Sequence, residues 1–193
     1  MNRQIFNYMV SPAIVRADTE SVIRIRPLGE NTAFLPHLTY TVEIRGVETF
    51  TLTSHMGLGN FKSVDVEDLS KHKVESEQIS ISNELVQAVD KAHAENKRIC
   101  VVGTEVMRAL EHVVGTNGQI KAYDGWTNKF IYPPYNFTVA NAFFVNFYMP
   151  QSSQLMMVAA FGGHDNVMNA YNQAVKEGYR FGDYGDAMLI LND

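Results

Sequence analysis

Short apolar runs rich in β-branched and aromatic residues open the chain: Ala13 to Val15, Val22 to Ile25 and Leu38 to Ile44. Asp18-Thr19, Pro27 with Gly29, and Pro36 separate them, so they read as strands divided by turns. Arg24 and Arg26 alternate with Ile23 and Ile25, as on a strand with one solvated face. The pattern predicts a small β-rich module over residues 1–48. Such a sheet needs a partner surface to be stable, and its edge could meet another chain.

From Thr49 onward the pattern alternates between strand and helix. Thr49 to Thr53 reads as a strand, followed by the glycine-bearing turn His55-Met56-Gly57-Leu58-Gly59. Ser82 caps a helix with Leu85, Val89 and Ala92 on one face, and Arg98 to Val102 follows as a short buried strand. Thr104 is placed to cap the next helix, with Met107, Leu110 and Val114 as its stripe and Gly115 at its end. Tyr123 to Phe137, which holds Trp126, Phe130, Tyr132, Tyr135 and Pro133-Pro134, reads as an irregular aromatic connection. Phe143 to Phe147 is the next strand. Ser152 to Phe161 reads as a helix apolar all round, closed by Gly162-Gly163. A last helix from Asp165 turns Val167, Tyr171 and Ala174 inward and ends at Gly178, and Ala187 to Leu191 closes as a strand. This alternation predicts an α/β domain over residues 49–193, with a mostly parallel sheet and flanking helices.

Composition narrows the function. With 46% hydrophobic and 19% charged residues, the 193-residue chain can bury a core and is not a disordered segment. Sixteen Lys and Arg against twenty-one Asp and Glu leave a net charge of -5, which argues against a large basic face for nucleic acid. The single cysteine, Cys100, lies in an apolar run and reads as a buried thiol rather than a nucleophile. No run approaches the roughly 20 apolar residues of a membrane span, and MNRQIFNYMVSP lacks a signal-peptide core. The expectation is a cytoplasmic protein without membrane contact.

Generic motifs for phosphate loops and zinc sites are missing, and a third dinucleotide-fingerprint glycine would fall at Lys62. Three polar clusters lie where strands end or helices begin, the positions at which open α/β sheets bind ligands. In Thr53 to Phe61, two glycines let a ligand approach the backbone beside His55, although a tight turn with a capping histidine explains the same residues. In Val101 to Glu111, a helix start could hold an anion, while Arg108 either clamps that anion or pairs with Glu105 or Glu111. In Phe144 to Ser153, Asn146 and Ser152 bracket Pro150 at a strand-to-helix turn.

Together these stretches resemble the S-adenosylmethionine:tRNA ribosyltransferase-isomerase family of queuosine biosynthesis. Its His-Val-Gly-x-Gly-Thr-Phe element is similar to His55-Met56-Gly57-Leu58-Gly59-Asn60-Phe61, and its His-Lys-Met-His-Ser-Glu element to His72-Lys73-Val74-Glu75-Ser76-Glu77. Val102-Gly103-Thr104 with Arg108 and Leu110-Glu111 resembles its strand-helix element. Trp126-Thr127-Asn128 and Phe130-Ile131-Tyr132-Pro133-Pro134-Tyr135 resemble its aromatic loop. Asn146-Phe147, Pro150 and Ser152, then Tyr179-Arg180-Phe181 and Tyr184-Gly185-Asp186-Ala187-Met188-Leu189, complete the likeness over about residues 46–193.

The resemblance implies transfer and isomerisation of the ribosyl group of S-adenosylmethionine onto a 7-deazaguanine base in tRNA, with S-adenosylmethionine as substrate and no metal. By this likeness His55, His72 and Glu77 are the candidate acids and bases. Gly57, Gly59, Phe61, Gly103, Thr104, Arg108, Trp126, Tyr132, Asn146, Ser152 and Asp186 are candidate ligand contacts. The implied partners are S-adenosylmethionine and a tRNA anticodon loop. Members of the family carry a longer N-terminal portion with an inserted β-barrel, so the sequence reads as a shortened member, and a separate protein chain could supply the missing domain. The sequence also departs from the family at Asn60, Glu75, Glu105, Tyr148 and Gln151, where a Thr, His, Thr, His and Lys are expected. Those exchanges support an alternative: a divergent relative binding a nucleoside-like ligand or a protein partner without that reaction.

Overall fold

The structure is a computed structural model. It describes residues 47–57, 62–182 and 185–192, and the backbones of strands β1 (Pro12–Val15), β2 (Arg24–Pro27) and β3 (Tyr40–Glu43). The rest of the N-terminal strand expectations, including Val22-Ile23, Leu38-Thr39 and Ile44, lie outside the described residues. Within them β2 pairs antiparallel with β3, and β1 pairs antiparallel with β4 (Thr49–Thr51).

The strand expected over Thr49 to Thr53 is divided at the buried Leu52. Beyond it β5 (Thr53–His55) joins a different sheet, bonded to β6 (Glu77–Ile81), which in turn pairs with β8 (Tyr123–Thr127). The second three-stranded sheet places β9 (Ala142–Asn146) between β7 (Cys100–Val102) and β10 (Ala187–Leu191).

Among the described strands only β7 and β9 run parallel, so the expected mostly parallel sheet is corrected to a mixed α/β arrangement. The reason is topological. Helix α1 (Asn83–Ala94) carries the chain from β6 in one sheet to β7 in another, and a helical connection enforces parallel pairing only when it returns to the same sheet. The connection from Tyr123 is likewise corrected: its first five residues form β8, because β6 supplies a full antiparallel partner despite Asp124 and Gly125.

Local signals place the helices well. Ser82 caps α1 by accepting from the Leu85 amide, and Leu85, Val89 and Ala92 are its buried face. Ser152 does the same for α3 (Ser153–Gly162), in which no residue is fully exposed. Helix α4 (His164–Glu177) buries Val167, Tyr171 and Ala174 and ends on Gly178 in the left-handed region at φ 74°, where glycine has no Cβ penalty. Helix α2 (Thr104–His112) differs most from expectation. It ends at His112 rather than Gly115, and seven of its nine residues are buried rather than one stripe. It is the centre of the core, with Met107, Ala109 and Leu110 packed among Val101, Phe143 and Val158.

Cys100 is buried, and burial pushes its thiol up from 9.0 to about 11. At pH 8 the folded chain therefore carries about a hundredfold less thiolate than the unfolded chain. We expect iodoacetamide to leave the native protein unmodified and to alkylate it fully in urea, as read by intact mass. The same shift makes stability fall as pH rises from 9 towards 11, because the unfolded chain releases this proton first.

Candidate active site

The parallel pair β7/β9 delivers two strand ends to one edge of the core. There the chain turns into α2 through Gly103, whose φ of 91° and ψ of 145° suit glycine and whose N–H donates to the Phe144 carbonyl at 3.0 Å. Gly103, not Thr104, is the helix cap. Thr104 is the first helical residue, and its buried hydroxyl lies 3.1 Å from Glu105 Oε1 and 3.2 Å from the Tyr148 hydroxyl. Tyr148 is held in turn by its own N–H, which donates to the Tyr171 hydroxyl at 2.9 Å. Burial pushes that Tyr171 phenol up to about 12.

One turn into α2, Arg108 is 5% exposed and bonds to Glu77, which is 2% exposed. Glu77 lies 31 residues upstream on β6, a partner that helical spacing does not suggest. Burial draws the Arg108 guanidinium down from 12.5 to about 10, which leaves it charged at neutral pH. Glu77 Oε1 also accepts from the Gly57 N–H at 3.4 Å, so the first glycine of the turn after β5 is tied to the same carboxylate.

A shallow pocket with room for little more than one water molecule lies beside Arg108, walled by Thr104, Glu105, Phe130, Ser153 and Met157, with Lys129 at its side. His72 packs on Phe130 at 4.9 Å between ring centroids, and Tyr132 packs on it at 5.0 Å. Glu111, a further turn along α2, anchors the loop that supplies this wall. Its buried carboxylate accepts from the Tyr135 hydroxyl and from the Thr138 and Val139 amides at 2.9 to 3.0 Å. Burial and the Glu111 charge hold the Tyr135 phenol far above its usual range, so it remains a donor.

The sequence-derived candidates therefore divide. Thr104 and Arg108 line the pocket; Glu77 and Gly57 stand behind Arg108; His72 and Tyr132 flank Phe130. Ser152 caps α3 and donates to the Met149 carbonyl at 2.8 Å, immediately before Ser153 of the pocket wall. Asn146 and Asp186 sit at the paired ends of β9 and β10. Asn146 reaches the Gly185 carbonyl at 3.5 Å, and Asp186 accepts from the Arg180 amide at 2.7 Å, closing the turn before β10. His55 and Trp126 are exposed on the outer face of the β5–β6–β8 sheet and do not line the pocket. Gly59 and Phe61 lie outside the described residues, as do Asn60 and Tyr184. Reading the sequence missed Lys129 and Ser153 as wall, and named Tyr148 only as a departure from the family. Their only signal was membership of the aromatic loop and of the strand-to-helix turn.

Polar groups thus gather at the carboxyl ends of the parallel strand pair of a mixed α/β domain, the place at which open α/β sheets bind ligands. Residues 31–190 match the family model described as queuosine biosynthesis protein, beginning earlier than the likeness over residues 46–193. The chain belongs to this family. It is 58% identical over 159 residues to the S-adenosylmethionine:tRNA ribosyltransferase-isomerase of Bacteroides fragilis, covering 82% of this chain and 45% of the relative. A relative of the same name from Desulfitobacterium hafniense is 39% identical over 158 residues, covering 82% of this chain and 46% of its own. The crystal structure of an S-adenosylmethionine tRNA ribosyltransferase from Thermotoga maritima superposes with a TM-score of 0.57 at 43% identity, covering 60% of this chain and 40% of that one. The chain thus spans less than half the length of the curated relatives it matches.

Proposed function

We propose that the chain takes part in transfer and isomerisation of the ribosyl group of S-adenosylmethionine onto a 7-deazaguanine base in tRNA. The observation that carries this reading is the meeting of separate matched motifs at one place: Gly57, Glu77 and Arg108 are joined by hydrogen bonds beside the pocket, and Phe130 forms its wall. In the reaction the aminomethyl nitrogen of the base bonds to ribosyl carbon, the ribose rearranges to an epoxycyclopentane, and adenine and methionine depart. A proton must leave the amine and one must reach adenine. In this reading His72, packed on Phe130, moves those protons, Phe130 and Tyr132 offer ring faces to adenine, and Arg108, held by Glu77, presents a fixed positive charge to the pocket. Asn146, Ser152 and Asp186 act one step back, by fixing the strand ends and the α3 cap. A cytoplasmic location belongs to the same reading. A ligand-binding relative without the reaction has less support, given 58% identity to a named transferase-isomerase.

The test is incubation with S-adenosylmethionine and tRNA bearing the aminomethyl-deazaguanine precursor, followed by nucleoside mass spectrometry and adenine quantitation. Epoxycyclopentane nucleoside and adenine are expected in equal amounts. Binding of S-adenosylmethionine by calorimetry with no modified nucleoside would reject the reaction and favour the ligand-binding alternative. His72→Ala is expected to cut turnover about 100-fold or more while the protein still unfolds cooperatively, as read by its melting curve. Unaltered turnover would remove His72 from the mechanism.

A further inference from the structure

The outer face of the β5–β6–β8 sheet has no assigned role beyond the candidacy of His55 and Trp126. The strand register sets His55 opposite Gln78 and Gln78 opposite Trp126, and all three are exposed. Directly paired residues share a face, so they form one row across three strands. A second row, Thr53, Ser80 and Asp124, runs beside it. Trp126, the single tryptophan of the chain, is 62% exposed, unusual for a side chain that is highly buried on average.

Its backbone is held in place. The Tyr123 ring folds under Gly125, occupying the space a Cβ there would need at 2.7 Å, and its hydroxyl donates to the Trp126 carbonyl at 3.1 Å. The indole is thus presented on a fixed strand.

We propose that this face is a stacking platform for an unpaired RNA base, with Trp126 as the stacking surface and Gln78 and His55 beside it as hydrogen-bonding groups for the base edge. The proposal deepens the reading above by naming where an RNA loop docks on the chain. The make-up of the face selects the occupant. The indole is its one large apolar group, and the other five positions are hydroxyl, amide, imidazole or carboxylate. A protein interface core is contiguous and depleted in charge, whereas single-stranded RNA is recognised by an aromatic surface with polar groups at the base edge. Strands lie about 4.8 Å apart, so a base centred on the indole brings its edge over Gln78. Asp124, in the second row, excludes phosphate from that corner and accepts from amino or imino donors of a base. The face is also continuous with the pocket region, because β5 leads directly to Gly57 and its bond to Glu77.

The lone tryptophan makes the test direct. The protein is titrated with an unmodified RNA hairpin carrying an unpaired loop, and with a fully paired RNA duplex, while indole fluorescence is followed. Saturable quenching by the looped RNA is expected, with at least tenfold weaker binding of the duplex. In anisotropy titrations of labelled hairpin, Trp126→Ala weakens binding about 5- to 150-fold, the effect of losing one base stack, and Gln78→Ala weakens it less. Unchanged affinity of Trp126→Ala, or RNA binding without quenching, overturns the proposal. So does a concentration-dependent blue shift without RNA, which would place a second copy on the face. No S-adenosylmethionine is present, so quenching by looped RNA in a chain that fails to modify tRNA rejects the reaction and keeps the platform. Turnover unaffected by Trp126→Ala does the reverse.

Discussion

Arg108→Ala is expected to lower the unfolding free energy by about 3–5 kcal/mol, because it strands the Glu77 carboxylate, 2% exposed, without its cation. Glu77→Ala should also destabilise, by removing a buried charge partner of the guanidinium, whose downward shift to about 10 already marks the cost of burying it. The double variant Glu77→Leu with Arg108→Met should recover most of the loss, since a buried ion pair replaced by apolar groups of similar size is often close to neutral. Urea titrations of the four proteins measure the two losses and the recovery. A loss under about 1 kcal/mol for either alanine variant, the range of an exposed pair, would show that the pair is hydrated in solution. Ligand binding should separate from stability here: the double variant folds, yet lacks the Arg108 charge beside the pocket.

Glu111→Ala should cost about 2–4 kcal/mol, because it leaves the buried Val139 amide, the Thr138 amide and the Tyr135 hydroxyl without their acceptor. Glu111→Gln keeps one oxygen and should lose about 1–2 kcal/mol. Urea midpoints measure both. Hydrogen exchange at Thr138 and Val139 should accelerate beyond the global change, because those amides bond to the side chain that is removed. Exchange that merely tracks global stability would mean that the loop is held by other contacts.

The parts of this fold legible in the sequence are those specified within a few residues. Ser82 and Ser152 bond three residues ahead, and the buried positions of α1 and α4 follow their helical period. The missed parts are relational. In β6, buried Glu77, Ile79 and Ile81 alternate with Gln78 and Ser80, but a carboxylate at the first inward position hides the strand until Arg108 is known to face it. β8 carries Asp124 and Gly125, poor strand formers that are overruled by pairing to β6. Whether β7, β9 and β10 run parallel depends on which sheet each connection returns to, and no local pattern encodes that. For the site, the motif residues were visible but their sides were not: spacing cannot show that His55 and Arg108 belong to opposite faces of one sheet, whereas the register does.

The three polar side chains buried along α2 have a further consequence. Thr104, Arg108 and Glu111 are spaced by four and three, so they occupy one face, and they meet Tyr148, Glu77 and the 135–139 segment respectively. Apolar contacts around the same helix would accept a small screw motion with little penalty, because Val, Met and Leu exchange neighbours readily. A slip of one residue turns the face by about 100° and breaks all three polar contacts at once. We therefore expect the competing compact states of this core to lie well above the native one, with a wide energy gap set by directional bonds rather than by the amount of apolar surface covered.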